Sequence, residues 1–265
     1  MTLTQMLNKT TLKILLRSRS LNFTRDCGAK SKENGVAAYT WKGKDIFYRP
    51  GTSDTELIYK ILLYPPRRSE YRICADLDPK VIFDIGGNIG TAAIYFADLY
   101  PKAEIFTFEP IPENYALLEK NTREYKNIKP ACMALGAHSG KLAMSASYAA
   151  GNMGGYSFYS LGVDENNKVD VDVRTASSVM KELGLDRVDI IKVDTEGAEY
   201  DIITSFDRDV LRRVEWITGE LHGIKDFALL AYLSEWFDIS TRKNFGKRLF
   251  NFSACNREII NKIRY

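Results

Sequence analysis

Acidic residues stand at the ends of several apolar segments of this 265-residue chain, and the first of them, Asp84, precedes a glycine loop. That loop reads Gly86-Gly87-Asn88-Ile89-Gly90. Glycine lets the chain turn tightly and lets a ligand approach the backbone without a Cβ atom in the way. A dinucleotide loop has the regular spacing G-x-G-x-x-G and rests a pyrophosphate on the next helix. A carboxylate at Asp84 would repel a pyrophosphate but suits the amino group and sulfonium of S-adenosylmethionine.

A second acid, Glu109, follows the apolar segment Ile105–Phe108. It stands about 20 residues after the glycine loop, where nucleotide-binding sheets carry an acid that accepts hydrogen bonds from ribose hydroxyls. Such an acid fits NAD as well as S-adenosylmethionine. The glycine loop must therefore discriminate between the two ligands, and its irregular spacing favours S-adenosylmethionine.

Two pairs of residues further along the chain have the side chains needed to move a proton. Asp194 and Glu196 form one pair, and Glu220 and His222 form the other. The pKa of histidine suits it to accept a proton near neutral pH, which makes His222 the predicted general base. Asp194 and Glu196 are predicted to orient an acceptor hydroxyl or the amino group of the donor. Helix capping by the acids and a structural hydrogen bond of His222 are the alternatives.

Methyl transfer from a sulfonium is an in-line displacement that needs alignment of the acceptor and removal of a proton. This chemistry requires no metal. The four cysteines fit no metal-ligand spacing. Asp194 and Glu196 would need a third ligand to hold an ion, and the sequence points to none. We therefore expect no metal.

The elements that position these residues follow from the pattern of apolar segments. From residue 80 onward, strands such as Val81–Ile85 alternate with amphipathic helices such as Thr91–Leu99. Strands separated by helices form parallel βαβ units, so the sequence predicts the α/β class with a doubly wound, mostly parallel sheet between two layers of helices. Residues 1–72 are predicted to form an N-terminal extension that packs on a core domain of residues 73–265.

Several motifs, in order and spacing, resemble the FkbM family of methyltransferases over roughly residues 45–225. The matching segments are Arg49-Pro50-Gly51-Thr52-Ser53-Asp54, Phe83–Gly90, Phe108-Glu109-Pro110-Ile111-Pro112, Asn121, Ala134-Leu135-Gly136 and Ile191–Glu199. The family usually has alanine where this chain has Gly87. This departure is expected to widen the turn slightly without removing a contact.

The resemblance implies a Rossmann-like class I methyltransferase fold with S-adenosylmethionine as donor and S-adenosylhomocysteine as product. It implies that the segment from Asp84 to Gly90 holds the methionine part and that Glu109, followed by Pro110, holds the ribose. Ile111 would flank the adenine, and Leu135 and Gly136 would line its other side. The better-known members of the family O-methylate hydroxyls of sugars, glycans and polyketides. An O-methyltransferase is therefore the leading interpretation, with a small-molecule amine as the alternative acceptor.

Residues outside the donor motifs are predicted to hold the acceptor. Asn152 and Tyr156 lie in a glycine-rich segment whose composition is typical of a binding loop. Ser53 and Asp54 are predicted to close the site from the N-terminal side. A surface loop in the first case and an ordinary helix cap in the second are the alternatives.

The charge of the chain bears on its partners. The net charge is +3. Two basic ends, residues 1–30 and 242–265, flank an acidic middle, so an anionic or lipid-linked acceptor and a membrane surface stay open as partners. Charge alone does not indicate a nucleic-acid-binding protein. No apolar run is long enough to span a membrane and no secretory pattern is visible, so we expect a cytoplasmic protein.

Two further alternatives remain at this point. An NAD-dependent oxidoreductase or epimerase would need a regular glycine loop and a Tyr-x-x-x-Lys pair, and the sequence shows neither. A binding protein that has lost turnover would not need to keep the acids at the strand ends.

Overall fold

A central sheet and its helices make up most of the computed structural model, which describes residues 9–29, 35–65, 68–147, 156–157, 163–223, 225–243 and 250–262. The strands are β1 (Ala37–Trp41), β2 (Lys44–Tyr48), β3 (Val81–Ile85), β4 (Glu104–Phe108), β5 (Ile128–Ala131), β6 (Ala134–Leu135), β7 (Gly140–Ser147), β8 (Tyr156–Ser157), β9 (Val163–Arg174), β10 (Ile190–Val193), β11 (Trp216–Leu221), β12 (Phe237–Lys243) and β13 (Phe250–Asn256). The α-helices are α1 (Lys9–Ser18), α2 (Leu21–Cys27), α3 (Ser53–Leu57), α4 (Thr91–Leu99), α5 (Pro112–Thr122), α6 (Ala176–Glu182), α7 (Glu199–Ile203), α8 (Arg208–Leu211) and α9 (Asp226–Leu233). A π-helix (Ile58–Leu62) continues α3, and a 3-10 helix (Arg257–Lys262) follows β13.

Seven strands form the central sheet, in the order β12-β13-β11-β10-β3-β4-β5. The five strands from β11 to β5 run parallel, and β13 and β12 are antiparallel to their neighbours. The strand order reverses between β3 and β10, which is the topological switch point of a doubly wound sheet. The predicted Rossmann-like α/β fold is confirmed.

The parallel strands are apolar on both faces because helices cover both sides of the sheet. β3 is buried along its whole length. On one face Phe83 packs against the rings of Phe106 and Phe108. On the other face Ile82 and Ile105 join a cluster that also contains residues of the N-terminal segment. Successive side chains of a strand point to opposite faces, so one short strand supplies both cores.

The N-terminal segment is joined to the central sheet by packing and by hydrogen bonds. Phe23 stacks at 4.7 Å from the ring of Tyr39, and both belong to the apolar cluster that includes α4. The buried Asn121 of α5 accepts a hydrogen bond from the Phe47 N–H at 2.7 Å. Its amide nitrogen donates to the carbonyl oxygens of Phe47 and Ile89 at 2.9 and 2.8 Å. One motif residue thus ties the β1-β2 hairpin to the end of the glycine loop.

The structure differs from the sequence-based expectation in three places. The apolar pattern from Ile128 to Leu135 predicts a single strand, but the structure has two, because the chain leaves the central sheet after β5 and pairs β6 with β9. A four-stranded sheet of order β6-β9-β7-β8 was not predicted. The helix that begins at Ser53 is capped by Thr52, whose side-chain oxygen accepts from the Asp54 N–H, rather than by Ser53. Among the described residues, no helix is both long and apolar enough to cross a membrane.

Replacing Asn121 with alanine should lower the free energy of unfolding by about 2–4 kcal/mol, because three hydrogen bonds are lost and buried backbone groups are left unpaired. Asn127→Ala is the matched control, since Asn127 makes one hydrogen bond, to the carbonyl oxygen of Ala103. The control should cost about 1 kcal/mol. Denaturant unfolding measures both variants, and equal losses would contradict the bridging role of Asn121.

Candidate active site

A cavity of about 780 Å³ lies at the carboxyl ends of β3, β4, β10 and β11. Ligands bind at this edge in doubly wound sheets. Its walls include the glycine loop, Glu109, Asp194, Glu196 and Glu220 on the sheet side. The opposite wall comes from the N-terminal segment, with Thr10, Ile14, Cys27 and residues between 51 and 71.

The glycine loop leaves the sheet in a conformation that only glycine tolerates at its first position. Gly86 has φ +82°, and a Cβ atom there would lie 1.9 Å from the carbonyl oxygen of Asp194. A Cβ atom on Gly87 would lie 2.3 Å from Oγ1 of Thr107 and 2.6 Å from Cδ1 of Leu118. An alanine at position 87, the residue usual in the family that the sequence resembles, would therefore require the side chains of Thr107 and Leu118 to shift in this chain.

Asp84 lies beneath the glycine loop and is fully buried. Its Oδ2 accepts a hydrogen bond from the Thr107 hydroxyl at 2.9 Å, and its Oδ1 lies 3.3 Å from Nζ of Lys192. The ammonium of Lys192 also donates to the carbonyl oxygens of Ile85 and Gly86, at 3.2 and 2.6 Å. Burial raises the pKa of Asp84, while the charge of Lys192 opposes that rise. The carboxylate predicted to face the donor supports the loop from below instead.

Glu109 reaches the glycine loop from the end of β4. Its Oε2 accepts the Asn88 N–H at 2.8 Å, and its Oε1 accepts the Ile111 N–H at 3.0 Å and the Asn114 amide at 3.4 Å. Burial raises its pKa, and these donors stabilise the charged form. Oε2 accepts one hydrogen bond and has a second lone pair, so Glu109 retains capacity for a further hydrogen bond at the cavity wall.

A smaller apolar pocket adjoins the cavity on the far side of Glu109. It is lined by Pro110, Ile111, Leu135 and Met144, together with the backbone of Gly86. Its lining is mostly apolar, as is usual for sites that bind small molecules. Gly136, also predicted here, instead pairs with β9 through its N–H and the carbonyl oxygen of Arg174.

The fold brings the two predicted proton-transfer pairs together around one imidazole. Nε2 of His222 lies 3.7 Å from Asp194, 3.6 Å from Glu196 and 3.7 Å from Glu220. Nδ1 of His222 lies 2.9 Å from Oε1 of Glu199. We call these five residues the His222 cluster. Glu196 has φ +56°, a conformation uncommon outside glycine, asparagine and aspartate, which marks a locally constrained backbone.

Charge and burial act together on the His222 cluster. Burial opposes protonation of His222, but Glu199, Asp194 and Glu196 raise its pKa to about 10. Burial raises the pKa of Glu196 to about 7. Burial, Asp194 and the neighbouring Glu70 raise the pKa of Glu220 to about 8. Burial acts to raise the pKa of Asp194, but Lys192 and His222 hold it below its usual range. Burial and the crowding of four carboxyl groups therefore favour the protonated forms of Glu196 and Glu220, while the ionised acids favour the protonated imidazole of His222.

The residues predicted to hold the acceptor have different positions. Ser53 lines the cavity. Asp54 is fully buried and forms a two-oxygen pair with Arg49, with Nε–Oδ2 at 2.7 Å, so it fixes the segment before α3 instead of facing an acceptor. Asn152 lies outside the described residues. Tyr156 begins β8, which pairs with β7.

Three contributors to the site carry little signal in the sequence. Tyr71 donates a hydrogen bond to Oδ2 of Asp194 at 2.6 Å, across 123 positions of the chain. Glu199, a common first-turn acid, holds His222 and also accepts the N–H groups of Thr195 and Gly197. The rings of Tyr59 and Tyr64 belong to the cavity wall. Glu199, six residues after the end of β10, was visible in the sequence as an acid, but its contact with His222 was not.

A family model described as the methyltransferase FkbM domain matches residues 84–249, which include the glycine loop, Glu109 and the whole His222 cluster. The chain belongs to the FkbM methyltransferase family. Membership makes it a methyltransferase, and the predicted family and reaction class are confirmed. The NAD-dependent alternative has no support from this family.

Three curated relatives are between 26% and 29% identical to the chain over the aligned residues. The methyltransferase sdnD of Sordaria araneosa is 29% identical over 215 residues, covering 67% of this chain and 81% of the relative. The 2-O-methyltransferase NoeI of Sinorhizobium fredii is 28% identical and covers 54% of this chain and 63% of its own. The hexuronic acid methyltransferase AglP of Haloferax volcanii is 26% identical, and the match covers 58% of this chain and 62% of the relative.

Gly86→Ala should destabilise the fold far more than Gly184→Ala, although both glycines have positive φ, +82° and +66°. Each change costs about 1–2 kcal/mol for the left-handed backbone. Gly184 has open space around its Cβ position, whereas at Gly86 the methyl group collides with the Asp194 backbone and adds about 1–3 kcal/mol. Denaturant unfolding measures the difference, and equal losses at the two sites would refute this account of the loop.

Proposed function

We propose that this protein transfers the methyl group of S-adenosylmethionine to a hydroxyl of a neutral, polyhydroxylated small molecule such as a saccharide or polyketide. The observation that carries the proposal is that two groups of residues lie at the same edge of the sheet. The glycine loop and Glu109 could hold the donor, and the acids of the His222 cluster could accept a proton. Glu109 and the glycine loop lie on one side of that edge, and Glu196 lies on the other. These residues surround the place where the cavity meets the smaller apolar pocket.

The donor would lie across this junction. The adenine would enter the apolar pocket between Ile111 and Leu135, and the ribose hydroxyls would donate to Glu109. The methionine part would lie along the backbone of Gly86 to Asn88, in the larger cavity. The sulfonium would then face the acids at the ends of β10 and β11, where negative charge stabilises a cation.

The acceptor side of the cavity favours neutral molecules. Its lining carries six carboxylates and two ammonium groups, and one of the latter, Lys60, is already paired with Glu56 at 2.8 Å. An anionic acceptor would meet net repulsion there. The rings of Tyr59 and Tyr64 offer apolar surface with polar tips, which suits the mixed faces of a sugar. The names of the relatives NoeI and AglP, a 2-O-methyltransferase and a hexuronic acid methyltransferase, support oxygen and sugar chemistry.

Glu196 is the group best placed to accept the proton of the hydroxyl. Its side chain is 36% exposed, against 5% for His222, and it lines both the cavity and the apolar pocket. His222 lies behind it, held at Nδ1 by Glu199. We therefore assign the base to Glu196 and a positioning role to His222, which the sequence had nominated as the base.

An amine acceptor is the second candidate, and the same excess of carboxylates favours it. A cationic amine would bind this cavity well but would have to lose a proton before attack. A hydroxyl needs its proton removed only as the bond forms, which one carboxylate can do.

The donor site is tested by calorimetric titration with S-adenosylhomocysteine, beside NAD. The wild type should bind S-adenosylhomocysteine in the micromolar range and not NAD. Glu109→Gln should weaken this binding by about 10- to 150-fold, because a hydrogen bond to a charged group is lost. Glu113→Gln, an exposed acid in the first turn of α5, is the matched control and should bind normally. Tighter binding of NAD, or no binding of S-adenosylhomocysteine, would overturn the proposal.

The proton acceptor is tested by Glu196→Gln with an acceptor that the wild type methylates. This change should lower kcat by about 10²- to 10⁴-fold and leave the affinity for S-adenosylhomocysteine nearly unchanged. Asp201→Asn is the control, since Asp201 pairs with Lys225 at 2.6 Å. A kcat that survives in Glu196→Gln and falls in His222→Gln would return the base to His222. Screening neutral sugars against amines separates the two acceptor classes.

A further inference from the structure

The two carboxylates and the imidazole at the ends of β10 and β11 have the arrangement of a metal site. Nε2 of His222 faces Oδ1 of Asp194 and Oε2 of Glu220, each at 3.7 Å, and the three ligand atoms lie within 4.8 Å of one another. These separations are too long for hydrogen bonds. We propose that Asp194, Glu220 and His222 bind a divalent cation of the Mn²⁺ or Zn²⁺ type.

The spacing fits an ion at the centre of the three atoms. Bonds of about 2.0–2.2 Å to nitrogen and oxygen place neighbouring ligand atoms about 3.0–3.6 Å apart in octahedral or tetrahedral geometry. The two distances from Nε2, each 3.7 Å, need to close by tenths of an ångström, and the carboxylate oxygens of Asp194 and Glu220 lie within 4.8 Å of each other. The mixture of one imidazole and two carboxylates suits Mn²⁺ or Zn²⁺ better than Ca²⁺, which prefers oxygen ligands alone.

The imidazole is oriented as a metal ligand is. Nδ1 of His222 is held by the buried Glu199 carboxylate at 2.9 Å, which turns Nε2 toward the acids. Metal-binding histidines almost always have such a carboxylate or carbonyl partner on the other ring nitrogen. The His222 side chain is only 5% exposed, and Nε2 makes no hydrogen bond to any residue in the described part of the chain. A buried, oriented nitrogen without a hydrogen bond points to a ligand.

The two carboxylates are held in the same way, each through the oxygen that faces away from the imidazole. Oδ2 of Asp194 accepts from the Tyr71 hydroxyl at 2.6 Å, which leaves Oδ1 toward His222. Oε1 of Glu220 accepts from the Asn251 amide at 3.1 Å, which leaves Oε2 toward His222. Each of the three proposed ligand side chains is therefore held by a hydrogen bond through the polar atom that does not face the ion.

The charges around His222 also favour a bound cation. Four carboxylates, those of Asp194, Glu196, Glu199 and Glu220, lie within 3.7 Å of one imidazole. The neighbouring Lys192 is already bound to Asp84 and to two carbonyl oxygens. A divalent cation at Nε2 would stabilise the ionised forms of these four carboxyl groups, in addition to the charges of Lys192 and Lys60 that already act on Asp194.

The site opens on the acceptor side, since Asp194 and Glu220 line the cavity. A cation with three protein ligands keeps a position for a further oxygen. Resting on the proposed function, that oxygen is the acceptor hydroxyl, held beside Glu196 and made more acidic by the cation. Metal binding itself does not depend on that assignment.

The experiment is titration of the chelator-treated full chain with Mn²⁺ and Zn²⁺ by calorimetry, with the electron paramagnetic resonance signal of free Mn²⁺ as a second readout. One ion should bind per chain. Asp194→Asn, Glu220→Gln and His222→Ala should each weaken binding at least tenfold, and Glu199→Gln, which removes a supporting partner, by about 10- to 100-fold. Glu182→Gln, an exposed acid paired with Arg174, should bind as the wild type does.

S-adenosylhomocysteine affinity, measured on the same variants, shows that each one is folded and keeps its donor site. Absence of binding at about 1 mM of either ion, the weak end of biological metal sites, overturns the proposal. Binding that survives in all three ligand variants overturns it too. If the chain binds S-adenosylhomocysteine but no ion, the proposed function stands and the metal site is refuted. If it binds the ion but no S-adenosylhomocysteine, the metal site stands and the proposed function is refuted.

Discussion

The buried ion pair between Asp84 and Lys192 is the constraint on which the site depends. Both side chains are nearly inaccessible, so neither charge is tolerable without the other. The pair joins β3 to β10 across the switch point, and Lys192 also donates to the carbonyl oxygens of Ile85, the last residue of β3, and Gly86, the first of the glycine loop. The loop is thereby fixed against the Asp194 backbone, so closely that Gly86 has no room for a Cβ atom. The glycine loop and the strand that leads to Asp194 therefore share one support.

In the His222 cluster, unlike the Asp84–Lys192 pair, groups of like charge are held close together. Natural proteins place buried charges with partners, and an unbalanced group is costly to stability. Here the supporting hydrogen bonds from Tyr71 and Asn251 and the constrained backbone of Glu196 keep the acids in place despite repulsion. Such strain is typical of a functional site, where folding free energy is given up for reactivity or for binding a cation.

The sequence predicted the sheet and the ends of its strands because buried parallel strands are continuous apolar runs, and residues at strand ends necessarily meet. It placed Glu109, Asp194 and Glu196 at one edge for this reason. It did not predict that Asp84 pairs with Lys192, since two charges in neighbouring strands carry no mark of their pairing. It also assigned Asp54 to the acceptor, although Arg49 takes both of its oxygens. Long-range pairings of this kind depend on tertiary structure, and local spacing does not reveal them.

The two walls of the cavity come from different parts of the chain. The family match begins at residue 84, so the glycine loop and the His222 cluster belong to the shared part of the chain. Most of the opposite wall, including Tyr59 and Tyr64, precedes it. The two parts are joined by Arg49, which binds Asn114 at 2.8 Å, and Asn114 in turn reaches Glu109. Under the proposed function, substitutions of Tyr59 or Tyr64 should therefore change the acceptor, whereas a change at Arg49 should also reach Glu109 through Asn114.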